Sequence, residues 1–141
     1  MNARKAQARW TGTLKDGTGQ LATESELCTG PYSFSSRFEE GKGTNPEELI
    51  GAAYAGCFSQ AFSLELEKAG FTPKEVKTQA EVQLEKQGDG FAITHIQLKT
   101  EGSAEGIDAA KFEEIANAAK DGCPVGKALS AVAKDVEVKL I

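Results

Sequence analysis

The sequence has one histidine and three cysteines, and no two of the cysteines form a Cys-x-x-Cys pair. A structural zinc site is therefore not expected, and nothing else in the chain calls for a metal or cofactor. Serine-type hydrolysis lacks its usual base, because His95 is the only candidate and falls in a strand-like stretch where a solvent-facing or satisfied role is expected. No nucleophile-elbow motif is present. The segment Gly41-Lys42-Gly43-Thr44 precedes a helix but lacks the spacing and the strand-loop-helix setting of a phosphate-binding loop. Three cysteines are also too few, and too odd in number, for a disulfide-scaffolded secreted domain.

Long apolar runs are missing as well. No uncharged stretch spans a bilayer, and Asn2-Ala3-Arg4-Lys5, followed by Gln7, Arg9 and Trp10, is unlike a secretory signal. A cytoplasmic protein with no membrane partner is expected. The formal net charge of -5 is spread along the chain with no basic cluster at either terminus, so nucleic acid is not an expected partner.

What is present suits one core. With 141 residues and 40% hydrophobic content, a single domain over residues 1–141 is expected. Arg9 to Leu14 reads as extended, Asp16-Gly17 as a hairpin turn and Gln20 to Glu24 as the returning strand. Tyr32, Phe34 and Phe38 share one parity against Ser33, Ser35 and Arg37, which predicts a third strand holding Arg37 away from its aromatic face. Thr44-Asn45-Pro46-Glu47-Glu48 carries an N-cap candidate, a first-turn proline and first-turn acids, and Gly70 with Pro73 stops the helix begun there. Val76 to Leu84 alternates apolar with polar, and the apolar set of the next strand, Phe91 to Thr100, shifts parity near Thr94 or His95, which predicts a bulge. Asp108 caps a helix with Phe112, Ile115, Ala116 and Ala119 inside, Pro124 opens another through Ala133, and Val136 to Leu140 is a closing strand.

This order segregates as α+β. From Leu49 to Leu64 the long helix has no charged residue and shows apolar or small residues on every face, so burial almost all round is expected. One small sheet covers one side only. An intimate homodimer, with antiparallel sheets packed around long buried central helices, supplies the rest.

Taken alone, Cys57, mid-helix in Tyr54-Ala55-Gly56-Cys57-Phe58, reads as a small buried hydrophobe. Cys123 precedes Pro124 and so falls at a helix N-cap, where the dipole favours thiolate. Cys28 sits in a loop with no basic residue or second thiol beside it and is incidental. Four ordered blocks change that reading: Tyr32 to Glu39 with Ser36-Arg37-Phe38, Thr44 to Leu49, Ala52 to Phe58, and Gly122-Cys123-Pro124-Val125. On these blocks the whole chain resembles the OsmC/Ohr family of organic hydroperoxide reductases, and the third-strand placement of Arg37 is similar to the OsmC branch.

The resemblance implies a redox-active dithiol antioxidant peroxidase of the stress response, with Cys57 as the peroxidatic thiol and Cys123 as the resolving thiol. It also implies that Arg37 activates Cys57, that Glu47 orients Arg37, and that a dithiol of lipoyl type is the reductant. Burial penalises a thiolate, so a cation must approach Cys57, and only the planar fork of arginine can serve sulfur, peroxide and Glu47 together. Tyr54, Phe58 and Phe62 are candidates to line a pocket for the organic tail, against a plain packing role in the core. Ten residues of straight helix part Glu47 from Cys57 by about 15 Å, roughly twice the reach of an arginine. Either the helix breaks, at Gly51 for instance, or Arg37 and Glu47 serve the Cys57 of a partner subunit. A non-enzymatic dimeric module that senses oxidants or binds apolar ligands is the other function class open to this sequence.

Overall fold

The computed structural model describes residues 1–141, which divide into two compact units, Met1–Leu49 and Ile50–Ile141.

In the first unit, β1 (Ala6–Thr11), β2 (Thr18–Thr23) and β3 (Thr29–Tyr32) form an antiparallel sheet in that order. The first strand begins and ends earlier than expected. Residues 12–17 make a wider loop in place of a two-residue turn, with Gly12 at φ +98° and Gly17 N–H donating to Thr13 O at 2.8 Å. Pro31 is tolerated because β3 is an edge strand.

The third strand is shorter than the alternation predicts, and Phe34–Phe38 is a helical turn, α1. Phe34 and Phe38 meet at 4.9 Å between ring centroids, because positions four apart share a helix face as well as a strand face. Ser33 caps this turn and exchanges hydrogen bonds with Ser36 in a capping box. Arg37 therefore projects from a helix, not a strand.

Helix α2 (Pro46–Lys68) begins and ends where the proline and glycine signals place it, and Gly51 does not interrupt it. Asn45 Oδ1 accepts from Glu48 N–H at 2.8 Å to cap its start.

In the second unit, residues 50–68 of α2 bury one stripe, with Tyr54, Phe58, Phe62 and Leu66 fully enclosed. The opposite face, Ala52, Ala53, Gly56, Gln60 and Leu64, is exposed. Burial all round is thus not what one chain provides. Side chains at intervals of four occupy one stripe, and a single layer of partners covers only that stripe.

Strands β4 (Thr72–Gln87) and β5 (Gly90–Glu105) form a long antiparallel hairpin, and β6 (Ala133–Leu140) lies parallel to β5. The bulge falls at Thr94: Gln83 pairs with His95 and Leu84 with Ile93, leaving Thr94 as the extra residue with a buried hydroxyl that has no hydrogen-bond partner. Helix α3 (Ala109–Gly122) is capped by Asp108, whose carboxylate accepts from Lys111 N–H at 2.8 Å. It buries Phe112, Ile115, Ala116 and Ala119 against α2 residues, with Phe62 and Phe112 rings 4.8 Å apart.

Helix α4 is only Pro124–Ala128, not a run to Ala133, and β6 starts at Ala133, three residues before Val136. Lys134 hides that earlier start. It shares the inward parity of Val136, Val138 and Leu140, and its buried side chain carries Nζ to Leu129 O at 2.8 Å.

Candidate active site

Two groupings carry the residues singled out in the sequence, one in each unit. In the first, Ser36 Oγ donates to Thr44 O at 2.8 Å and Asn45 Nδ2 donates to Ser36 O at 3.1 Å. These bonds tie α1 to the residues that open α2. Arg37 consequently meets Glu47, donating from Nε at 3.1 Å and from Nη2 at 2.9 Å to the same Oε1. Arg37 Cζ also stands 5.2 Å from the Phe38 ring centroid. Glu47 is buried, and its Oε2 has no hydrogen-bond partner.

In the second unit, Cys57 is partly buried on α2 and Cys123 is buried where α3 ends and α4 begins. Both are free thiols. They share a cleft of about 400 Å³ whose walls include Ala61 and Leu64 from α2 and Ala118 and Ala119 from α3. A salt bridge from Lys68 to Glu65, at 2.9 Å, stands on the same cleft. Cys28 is exposed and belongs to neither grouping.

Cys123 is the N-cap of α4, as Pro124 implies, and its Sγ accepts from Gly126 N–H at 3.2 Å. Its ionisation differs from the expectation drawn from the helix start. Burial pushes the Cys123 thiol above its ordinary value of 9.0, and the neighbouring Cys57 pushes the same way; the backbone N–H groups of Gly126 and Val125 pull down only in part. A helix of five residues has a short dipole, and enclosure wins.

Because the folded chain holds the Cys123 proton more tightly than the unfolded chain, stability from this group is complete below pH 9 and is lost as pH rises further. The urea midpoint is expected to fall between about pH 8 and about pH 10, and to fall less in Cys123→Ala. Equal slopes in the two proteins would show that the thiol does not contribute.

Tyr54, Phe58 and Phe62 are fully buried core residues in the chain, and none of them lines the cleft. His95 pairs with Asp135 at 2.6 Å, on an exposed part of the sheet. Gly126 was not foreseen. Its signal was present, since the third residue after an N-cap is the one whose N–H the cap receives.

The family model described as OsmC-like protein matches residues 39–139. Peroxiredoxin OsmC of Escherichia coli (strain K12) is 52% identical over 138 residues, which is 96% of each chain. The chain belongs to the OsmC family.

Organic hydroperoxide resistance protein OhrB of Bacillus subtilis (strain 168) is 32% identical over 100 residues, covering 70% of this chain and 68% of that protein. The crystal structure of OhrB matches over 97% of this chain and 98% of its own, with a TM-score of 0.69 and 25% identity. The OsmC like protein from Mycoplasma pneumoniae matches with a TM-score of 0.72 over 99% of this chain and 98% of its own, at 14% identity, and so speaks for the fold alone. The fold is accordingly α+β and OsmC-like. No helix in this OsmC-family chain is long and apolar enough to cross a membrane.

Proposed function

We propose that this chain is a thiol-dependent peroxidase that reduces organic hydroperoxides to alcohols. The observation that carries the reading is the meeting of Cys57 and Cys123, distant in sequence, as free thiols on one cleft. The names of its relatives, peroxiredoxin and organic hydroperoxide resistance protein, point to the same chemistry.

Cys57 thiolate attacks the terminal peroxide oxygen; an S–O bond forms, the O–O bond breaks, and the departing alkoxide takes a proton to leave as alcohol. Sulfur loses two electrons and the peroxide gains them. The Cys123 sulfur then attacks the sulfenic sulfur; the S–S bond forms as the S–O bond breaks, and the thiol proton passes to the departing hydroxide, which leaves as water. An external dithiol, of lipoyl type by family resemblance, reopens the disulfide by exchange. The exposed position of the cleft gives such a reductant a path, and the alkyl walls at Ala61, Leu64 and Ala118 suit an organic tail better than hydrogen peroxide.

Cys57 is given the first step because it is the less buried thiol, whereas Cys123 is enclosed and held in its protonated form. Arg37 activates it and Glu47 holds Arg37. Ten residues of helix put Glu47 about 15 Å along the axis from Cys57, so Arg37 and Glu47 are assigned to the thiol of a second subunit in a homodimer. The unpartnered Oε2 of Glu47 supports a pair that gains a further donor on assembly. The exposed small-residue face of α2 suits the close approach of a second helix.

The test is a thiol count after one equivalent of cumene hydroperoxide is added to reduced protein. Two thiols per chain should disappear, and in Cys123→Ser only one should, leaving a sulfenic acid that dimedone captures. If the unaltered protein loses thiols no faster than Cys57→Ser, the reductase reading is wrong.

A further inference from the structure

Tyr54 is fully buried, and its hydroxyl donates to Lys120 O, in the last turn of α3, at 2.8 Å. Carbonyls at a helix end have no partner within the helix, so the phenol satisfies a group that would otherwise be left over. The ends of this bond have matching positions. Cys57 follows Tyr54 by three residues on α2, and Cys123 follows Lys120 by three residues at the junction of α3 and α4.

Gly126 completes the assembly from the other side. A Cβ there would lie 2.5 Å from Lys120 O, 3.2 Å from Cys123 Sγ and 3.4 Å from Tyr54 Cε1, so no side chain fits without moving one of the three. Its N–H is the donor to Cys123 Sγ. Phenol, carbonyl, glycine and thiol are thus packed as one block.

We infer that Tyr54 is a positioning residue for disulfide formation: by tying α2 to the end of α3, its hydroxyl sets the separation between Cys57 and Cys123. The inference rests on the assignment of attack to Cys57 and resolution to Cys123. Resolution is the step that depends on this separation, since one sulfur must reach the other along the axis of the breaking S–O bond. Attack on peroxide is not, because the peroxide is a free molecule that comes to Cys57. Burial, with the charges of Cys123, Asp121 and Cys57, raises the phenol above its ordinary value of 10.0, so it remains a donor throughout.

The experiment is a single turnover of reduced full-length protein with cumene hydroperoxide, with dimedone-trapped sulfenate and free thiol followed as separate rates. Tyr54→Phe keeps the ring and removes only the hydroxyl. Its sulfenate should form at a rate within about twofold of the unaltered protein, while disulfide formation slows about tenfold or more. Excess peroxide should then convert Cys57 to sulfinic acid, seen as added mass on that residue. Gly126→Ala disturbs the same block while keeping the Tyr54 hydroxyl and should show the same split, which keeps the test open if either variant folds poorly.

Disulfide formation at the unaltered rate in a folded variant overturns the inference. So does an equal slowing of both steps, which general loosening would give. Absence of any Cys57 sulfenate in the unaltered protein would instead remove the peroxidase assignment itself, and this inference with it.

Discussion

Serine in place of Cys57 is expected to abolish peroxide turnover, with kcat/KM for cumene hydroperoxide falling at least about 10³-fold. A serine hydroxyl at this position has no base. The single histidine is paired with Asp135 on the sheet, and the groups on the cleft beside Cys57 are mostly alkyl, with the one lysine held by Glu65. Sulfur's low-lying oxidation chemistry has no counterpart in an alcohol either. The exchange is nearly isosteric at a partly buried site, so the circular dichroism spectrum should be unchanged. Turnover within tenfold of the unaltered protein would move the chemistry to another residue.

Removal of the Arg37 guanidinium is the second large effect. Arg37→Ala should cost about 10²- to 10³-fold in kcat/KM, the usual scale for losing one preorganised donor to a developing anion. Arg37→Lys should fare little better, because Glu47 Oε1 receives two N–H groups from one planar fork and a lysine ammonium cannot serve Glu47 and a thiolate in that geometry. The location of the partner thiol is tested by mixing. If the site spans two subunits, refolding Arg37→Ala with Cys57→Ser at equal amounts makes half the dimers hybrid, each with one complete site. Activity should return to about one quarter of the unaltered level. No return after verified subunit exchange would place Arg37 and Cys57 within one chain.

Elements with chemical punctuation were legible in the sequence. Pro46 and Gly70 mark the two ends of α2, Asp108 marks the start of α3, and the parity shift in β5 marks the Thr94 bulge. Elements whose residues satisfy two periods at once were not. Phe34 and Phe38 fit a strand and a helix equally, and the decision fell to Ser33 and Ser36, whose reciprocal caps favour the helix. Lys134 disguised the start of β6 because an inward lysine that donates to carbonyls reads as surface.

At the site, residue types and family blocks pointed to Cys57, Cys123, Arg37 and Glu47, and the structure sets the first two on one cleft and joins the last two in an ion pair. The Cys123 environment was misjudged because a helix start can be read from Pro124 but enclosure cannot. The three aromatics expected to line a pocket were assigned by proximity along α2. Positions at intervals of four from Tyr54 share one helix face with one another, and that face is turned to the core.

The parallel pairing of β6 with β5 has a consequence for the order of assembly. Parallel neighbours need a crossover, and here residues 106–132 form it, with Cys123 inside. A closure of that span is non-local and slow next to the β4–β5 hairpin, whose strands are joined by two residues. The hairpin should therefore exist before the crossover docks, with Cys57 waiting on its helix for a thiol that arrives late. Under the roles proposed for the two thiols, a nascent or refolding chain in that interval has an oxidisable sulfur without its resolving partner. Chains caught there by peroxide would be diverted to sulfinic acid, making the maturing protein more vulnerable to its own substrate than the finished one.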